Sequence, residues 1–145
     1  MKKIFASTIL VGTLFISCSK DDDNSPNEFT CDSLAEVIEE EDFSEINTSN
    51  YTLNEIQLSG NCLEVTVSSS GCDPTPWEMH LYSVNAFYTA DPYARAVKIE
   101  LINNQACLAV FQKTISFELT PFQLDGQDEL LLNIEGWDQR IIYEY

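Results

Sequence analysis

Leu63-Glu64-Val65-Thr66-Val67-Ser68 alternates apolar and polar side chains without a break. Successive side chains of an extended strand point to opposite faces. Leu63, Val65 and Val67 therefore share a buried face, and Glu64, Thr66 and Ser68 face away from it. Asn61 and Gly71 bracket the run. The same period of two returns through Trp77, Met79 and Leu81, and through Val97, Ile99 and Leu101. Ile115, Phe117 and Leu119 repeat it until Pro121, and Leu130, Leu132 and Ile134 form another set. An extended pattern begins at Tyr51, and residues 141–145 close the chain with a last one. Asn103-Asn104 and Asp125-Gly126 supply turns. Six or seven short strands with turns between them predict an all-β domain, an antiparallel β-sandwich or open barrel.

One short N-terminal helix is expected beside the strands. Ser33 with Glu36 has capping-box spacing, and Leu34, Val37 and Ile38 make one apolar face over residues 33–40. Glu39, Glu40, Glu41 and Asp42 would then crowd its C-terminal end, which the helix dipole disfavours, so the helix should stop there. Their spacing fits no calcium loop and reads as a solvated face.

Ahead of this domain, Lys2 and Lys3 precede a 13-residue apolar or small stretch, Ile4 to Ile16. At 1.5 Å per residue it is too short to span roughly 30 Å of hydrocarbon, but it has the length of a signal-peptide core. Leu14-Phe15-Ile16-Ser17-Cys18 resembles the lipobox of bacterial lipoproteins, with Phe15 in place of the usual Leu. The resemblance implies cleavage before Cys18 and acylation of its thiol and new amine. More than one acyl chain gives the stable membrane attachment that a single chain does not. Ser19-Lys20-Asp21-Asp22-Asp23 looks like the acidic tag that carries some lipoproteins of Gram-negative bacteria to the cell exterior. The organisation expected is a signal peptide (1–17), a lipidated acidic tether (18–30) and a disulfide-stabilised β domain (31–145), anchored in the outer membrane and facing outward. A monomer is expected.

Loss of Lys2 and Lys3 with the signal leaves five basic residues against 24 acidic ones, a formal charge of −19. Nucleic acid is excluded as a partner by the shortage of cations for its phosphates. Anionic headgroups would repel the domain, so the lipid must hold it. With Cys18 lipidated, Cys31, Cys62, Cys72 and Cys107 remain, an even count that reads as two disulfides in an exported chain. A single histidine and no Cys-x-x-Cys pair argue against a metal site, and no cofactor is expected. Ten residue steps of strand at about 3.3 Å each put Cys62 and Cys72 up to roughly 33 Å apart. A bridge needs Cα atoms within about 7 Å. Cys62–Cys72 is therefore disfavoured, and Cys31–Cys107 with it. Of the two pairings left, Cys72–Cys107 with Cys31–Cys62 is favoured over Cys31–Cys72 with Cys62–Cys107. Cys72 and Cys107 both follow small residues in turns, Cys62 begins a strand, and Cys31 begins the expected helix.

No catalytic constellation stands out. Glycine occurs only at positions 12, 60, 71, 126 and 136, so no phosphate-cradling loop or nucleophile elbow can be built. His80, flanked by Met79 and Leu81 on a strand, is better explained as structural than as a general base. Trp77, Trp137, Tyr82, Tyr88, Tyr93, Tyr143 and Tyr145 offer material for a sugar platform, although aromatic residues in such folds mostly fill the core. The best exposed candidate is the loop carrying Tyr88, Asp91 and Tyr93. Finally, Gly71-Cys72, Trp77-Glu78-Met79-His80-Leu81, Ala106-Cys107 and Phe117-Glu118-Leu119-Thr120-Pro121 together resemble a group of uncharacterised bacterial lipoproteins with a Gly-Gly-Cys strand motif. Trp77 stands where that pattern carries histidine, and no activity comes with it. The function expected is a lipid-anchored, surface-exposed binding or interaction module with a glycan or protein partner. The alternative is a hydrolase using a carboxylate pair.

Overall fold

The structure, a computed structural model, describes residues 30–145. The expected signal peptide, the lipidation site Cys18 and all of the tether except Thr30 lie outside the described residues. Nine strands and one helix follow in chain order: β1 (Ser33–Leu34), β2 (Glu36–Ile38), α1 (Glu40–Glu45), β3 (Thr52–Ser59), β4 (Cys62–Gly71), β5 (Glu78–Val84), β6 (Ala94–Ile102), β7 (Ala109–Glu118), β8 (Glu129–Ile134) and β9 (Ile141–Glu144). They form one sheet of order β1-β7-β4-β3 and a second of order β2-β5-β6-β8-β9, neither closed into a barrel.

The long strands form where the period of two places them. β4 buries Leu63, Val65 and Val67, and β7 pairs with it in the register Leu63↔Phe117 and Val65↔Ile115. Met79, Leu81, Val97, Ile99, Leu101, Leu130, Leu132 and Tyr143 come from the second sheet into the same apolar cluster. Burying each Leu, Ile or Val stabilises the fold by about 1.5–3 kcal/mol. Phe117 is fully buried, and its truncation to Ala should cost about 3–5 kcal/mol.

Three expectations are corrected. The described residues form nine strands and not six or seven, because residues 33–34 and 36–38 add β1 and β2 at the sheet edges. The sheets are not purely antiparallel: β1 pairs with β7, β2 with β5, and β6 with β8, all in parallel. The last pairing follows from connectivity, because the chain leaves β6, runs β7 in the other sheet and returns to β8 pointing the same way. Residues 33–40 are also not a helix. Leu34 is 55% exposed, while Ala35, between β1 and β2, is fully buried. The segment spans both sheets: its first two strand residues join β7, Ala35 donates its backbone N–H to the Glu118 carbonyl at 2.9 Å, and the next three join β5. Long-range pairing with two exposed sheet edges outweighs the weak local preference for a capped turn. The helix starts where it was expected to end. Glu40, Glu41 and Asp42 fill the first turn of α1, the end at which the dipole favours acids.

Asp32 ends the β1 pairing. Its carboxylate accepts from the Ser116 backbone N–H at 2.9 Å and from the Ser116 hydroxyl at 2.6 Å, taking the place of a strand carbonyl. Those two bonds hold the Asp32 carboxyl below the usual carboxylate range.

The registers sort the loops into two groups. Glu78↔Ile102 and Gly71↔Ala109 bring residues 48–51, 72–77 and 103–108 to one end of the sheets. Cys62↔Glu118, Ser59↔Cys62 and Ser83↔Val97 bring residues 60–61, 85–93 and 119–128 to the other.

Candidate binding cleft

At the first end an open cleft of about 550 Å³ lies across three segments: residues 49–52, residues 68–70, and Asn103, Gln105 and Val110. Its floor is β4. Outward-facing Ser68 and Ser70 lie opposite Gln112 and Val110 of β7, and Thr52 of β3 lies opposite Ser68. No lining residue carries a formal charge. That is notable in a chain of net charge −17. The cleft size falls within the range of roughly 300–1,000 Å³ usual for ligand sites.

The walls are fixed by a chain of hydrogen bonds. The Asn50 side-chain amide donates to the Leu101 carbonyl at 2.8 Å, and the Ser69 hydroxyl donates to the Asn50 carbonyl at 2.6 Å. Asn103 donates from Nδ2 to the Ser70 carbonyl at 2.8 Å, and its Oδ1 accepts from the Gln105 N–H at 3.1 Å. Gln105 Oε1 then accepts three donors: the backbone N–H groups of Cys72 at 2.7 Å and Asp73 at 3.1 Å, and the Trp77 indole N–H at 3.2 Å. Gly71 is required by this close packing, because a Cβ there would lie 2.6 Å from Gln105 Oε1 and 2.8 Å from Trp77 Cζ2. The Cys72–Cys107 disulfide, with Cα atoms 5.0 Å apart, ties the two loops together.

Three more groups complete this end. The Asp73 carboxylate accepts from the Thr75 N–H and hydroxyl, which hold it below the usual carboxylate range. Lys113 Nζ reaches across from β7 to the Trp77 carbonyl. The Tyr51 hydroxyl donates to the Ile99 carbonyl at 2.7 Å. Burial, with the Glu135 carboxylate nearby, pushes its phenol up to about 12, so the ring stays neutral.

The second disulfide, Cys31–Cys62, has Cα atoms 5.6 Å apart and sits at the opposite end. Cys31 precedes a strand and not a helix, and it reaches Cys62 because β1 and β4 flank β7. Cys31, Cys62 and Glu118 lie close together. The two sulfurs are bonded to each other, so the group is a bridge beside a carboxylate and not a metal centre. One oxygen of Glu118 is buried there without a hydrogen-bond partner.

The loop expected to contact ligand is also at that opposite end. Tyr88 is 63% exposed, and its backbone pairs with Ala94 at 2.8 and 3.1 Å, closing the loop at its base. Asp91 is exposed and precedes a cis Pro92. Tyr93 instead packs on the core, its ring 5.6 Å from Phe87. The structure thus does not bring Tyr88, Asp91 and Tyr93 together with the cleft. Trp77, the other aromatic candidate, is only 2% exposed and serves the cleft through its N–H alone. His80 faces outward on β5 and stacks on Tyr82 at 5.8 Å.

The cleft residues form no recognisable motif in the sequence because none is an acid, a base, a histidine or a cysteine. A signal was present: residues 46–54, 65–72 and 101–112 are each free of Asp, Glu, Lys and Arg, and all three meet at this cleft.

Comparison with known proteins adds fold information only. No family model and no curated protein matches the chain. Among solved structures, it is similar to a protein of unknown function (DUF1344) from Bacteroides vulgatus, with a TM-score of 0.53 at 12% identity, covering 78% of this chain and 56% of that one. A protein described only as toxin related, from Parabacteroides distasonis, follows with a TM-score of 0.48 at 15% identity, covering 77% of this chain and 60% of that one. The first likeness supports the mostly-β architecture, and the second is too loose to carry an argument. The chain spans little more than half the length of these neighbours.

Proposed function

We propose that the protein is a lipid-anchored binding module displayed at the cell exterior, built as a two-layer β-sandwich whose cleft end receives the ligand. The preformed, charge-free cleft carries this proposal: its walls are braced by a disulfide and a continuous hydrogen-bond chain, and no acid, base, histidine or cysteine lines it. Rigidity before binding lowers the entropy that association must overcome. The anchor rests on the lipobox-like stretch ending at Cys18, and display rests on the acidic tag after it. Two disulfides fit an oxidising compartment. A hydrolase with a carboxylate pair is the weaker alternative. Such an enzyme needs two carboxylates facing one site, and no carboxylate lines the cleft.

Mass spectrometry of the wild-type chain tests the anchor. An acylated Cys18 is expected, and an unmodified amine and thiol at that residue would refute it. For display and binding, Ile142→Cys on β9 and Val110→Cys at the cleft rim are labelled with a membrane-impermeant maleimide. Both should react in the purified chain. On intact cells Ile142→Cys should still react while Val110→Cys is shielded by ligand. Silence of both positions on cells would contradict display, and equal labelling of both would contradict occupancy of the cleft.

A further inference from the structure

The unspent hydrogen-bonding capacity of the cleft identifies its ligand class, given that the cleft is the binding site. Gln105 Oε1 is already shared by three donors, which leaves the Nε2 side of that amide as a fixed donor. Asn50 is the reverse: its Nδ2 is committed to the Leu101 carbonyl, which leaves Oδ1 as an acceptor. The hydroxyls of Ser68, Ser70 and Thr52 have no hydrogen-bond partner among the described residues, and each can donate and accept. The cleft therefore offers mixed donors and acceptors, held in place and uncharged.

That combination excludes several ligand classes. An anion needs donors backed by positive charge, and the lining has no cation while the chain carries −17. Tight divalent-metal sites combine neutral oxygens with carboxylate, thiolate or imidazole ligands, and the lining has none of these three. A hydrophobic ligand needs apolar walls, and only Val110 and the Tyr51 ring supply them. An extended peptide is captured along several residues of open strand edge, yet β4 is paired to β7 throughout and to β3 up to Ser68, which leaves only Ser69 to Gly71 open on one side. A ring bearing several adjacent hydroxyls, each both donor and acceptor, matches what is left. Its apolar C–H face suits the Tyr51 ring and Val110.

We infer that the cleft binds a neutral glycan, and that Gln105, Asn50, Ser68 and Ser70 contact its hydroxyls. The site extends beyond one ring. Tyr51 and Thr52 also line a neighbouring depression of about 290 Å³ shared with Glu135 and Gly136, so a chain of sugars has room to continue.

The test uses the full chain in detergent with four probes: neutral gluco-oligosaccharides, neutral manno-oligosaccharides, anionic oligogalacturonate and an uncharged Gly/Ser/Thr peptide. Affinity is read by calorimetry for the wild type, for Ser68→Ala with Ser70→Ala, and for Tyr88→Ala. Neutral oligosaccharide should bind, and the double serine variant should weaken it about tenfold, as for two hydrogen bonds near 0.7 kcal/mol each. Its melting temperature should be unchanged, since neither hydroxyl holds a protein partner. Tyr88→Ala, at the other end, should bind like wild type. Oligogalacturonate binding lost in the serine variant would overturn the neutrality of the ligand, peptide binding lost there would overturn the glycan assignment, and either would keep the cleft as a binding site. Neutral glycan binding indifferent to the serines would overturn the cleft as its site. Absence of binding to either neutral oligosaccharide series would overturn the glycan inference, while the labelling experiment above still decides occupancy.

Discussion

The two ends of the sheets carry one disulfide each, and the bridges close loops of almost the same length, 31 and 35 residues apart in sequence. Chain entropy alone would give both about 4 kcal/mol. Their surroundings differ. Cys62 is 3% exposed, next to a carboxylate with one buried, unpartnered oxygen. Cys72 and Cys107 are both exposed, and the loops they join point amides and hydroxyls at an open cleft. One bridge completes a core. The other holds the geometry of a site. A bridge's contribution to a small domain is thus divided between stability and function according to what lies around it.

Replacing Cys31 and Cys62 by Ser should have the largest effect on stability, at the upper part of the roughly 2–5 kcal/mol expected for a native bridge, because it also places a serine hydroxyl at the almost fully buried position 62. Denaturant unfolding with a protein-length transition checks it. Equal losses for this pair and for Cys72→Ser with Cys107→Ser would erase the contrast between the ends.

Gly71→Val sharpens the comparison from the cleft side. The added side chain meets Gln105 and Trp77 at once. Overpacking of this kind should cost about 1–3 kcal/mol. It should also shift the Trp77 fluorescence, whereas a loss with unchanged Trp77 emission would show that the strain is absorbed elsewhere.

Gln105→Ala should cost less, about 1–2 kcal/mol, by leaving the indole N–H and two backbone N–H groups without their acceptor. Glu in its place supplies an acceptor and should recover most of the stability. Failure of Glu to do better than Ala would mean that the three hydrogen bonds are not what Gln105 contributes.

The smallest effect is at alkaline pH. The phenol of Tyr51 is raised to about 12 when folded, against about 10 unfolded, so its neutral form is favoured by the fold. Its contribution is complete below about pH 10 and is lost as pH rises toward 12. Tyr82 and Tyr143 shift the same way through burial. Tyr51→Phe should therefore flatten only part of the decline in melting temperature between those values. An unchanged decline would remove Tyr51 from the account.

The long strands were legible because Leu63 to Ser68 and its counterparts alternate strictly, and alternation depends only on neighbouring residues. The N-terminal segment was not. Ser33, Leu34, Val37 and Ile38 have a helical spacing, and what overrides it is pairing with β7 and β5, more than 40 residues away in the chain. In the loop of Tyr88, Asp91 and Tyr93 the sequence shows aromatic residues in a polar turn, but Tyr93 packs against Phe87 and the core, and burial of its ring depends on partners that local sequence does not reveal. The cleft was hidden for the opposite reason. Ser68 and Ser70 look like an ordinary solvated strand face, and only the fold shows that Asn50 and Gln105 stand on either side of them.

The division of labour between the ends is tested most directly by native-state hydrogen exchange on the full chain, comparing the two bridge deletions. Without Cys72–Cys107, exchange should accelerate at residues 70–77 and 103–108 while Leu63, Val65, Ile115 and Phe117 keep most of their protection. Without Cys31–Cys62, protection should fall across β4 and β7 together. Equal loss across the whole domain in both variants would contradict the account, because the cleft end would then be as much a part of the core as the end that closes it.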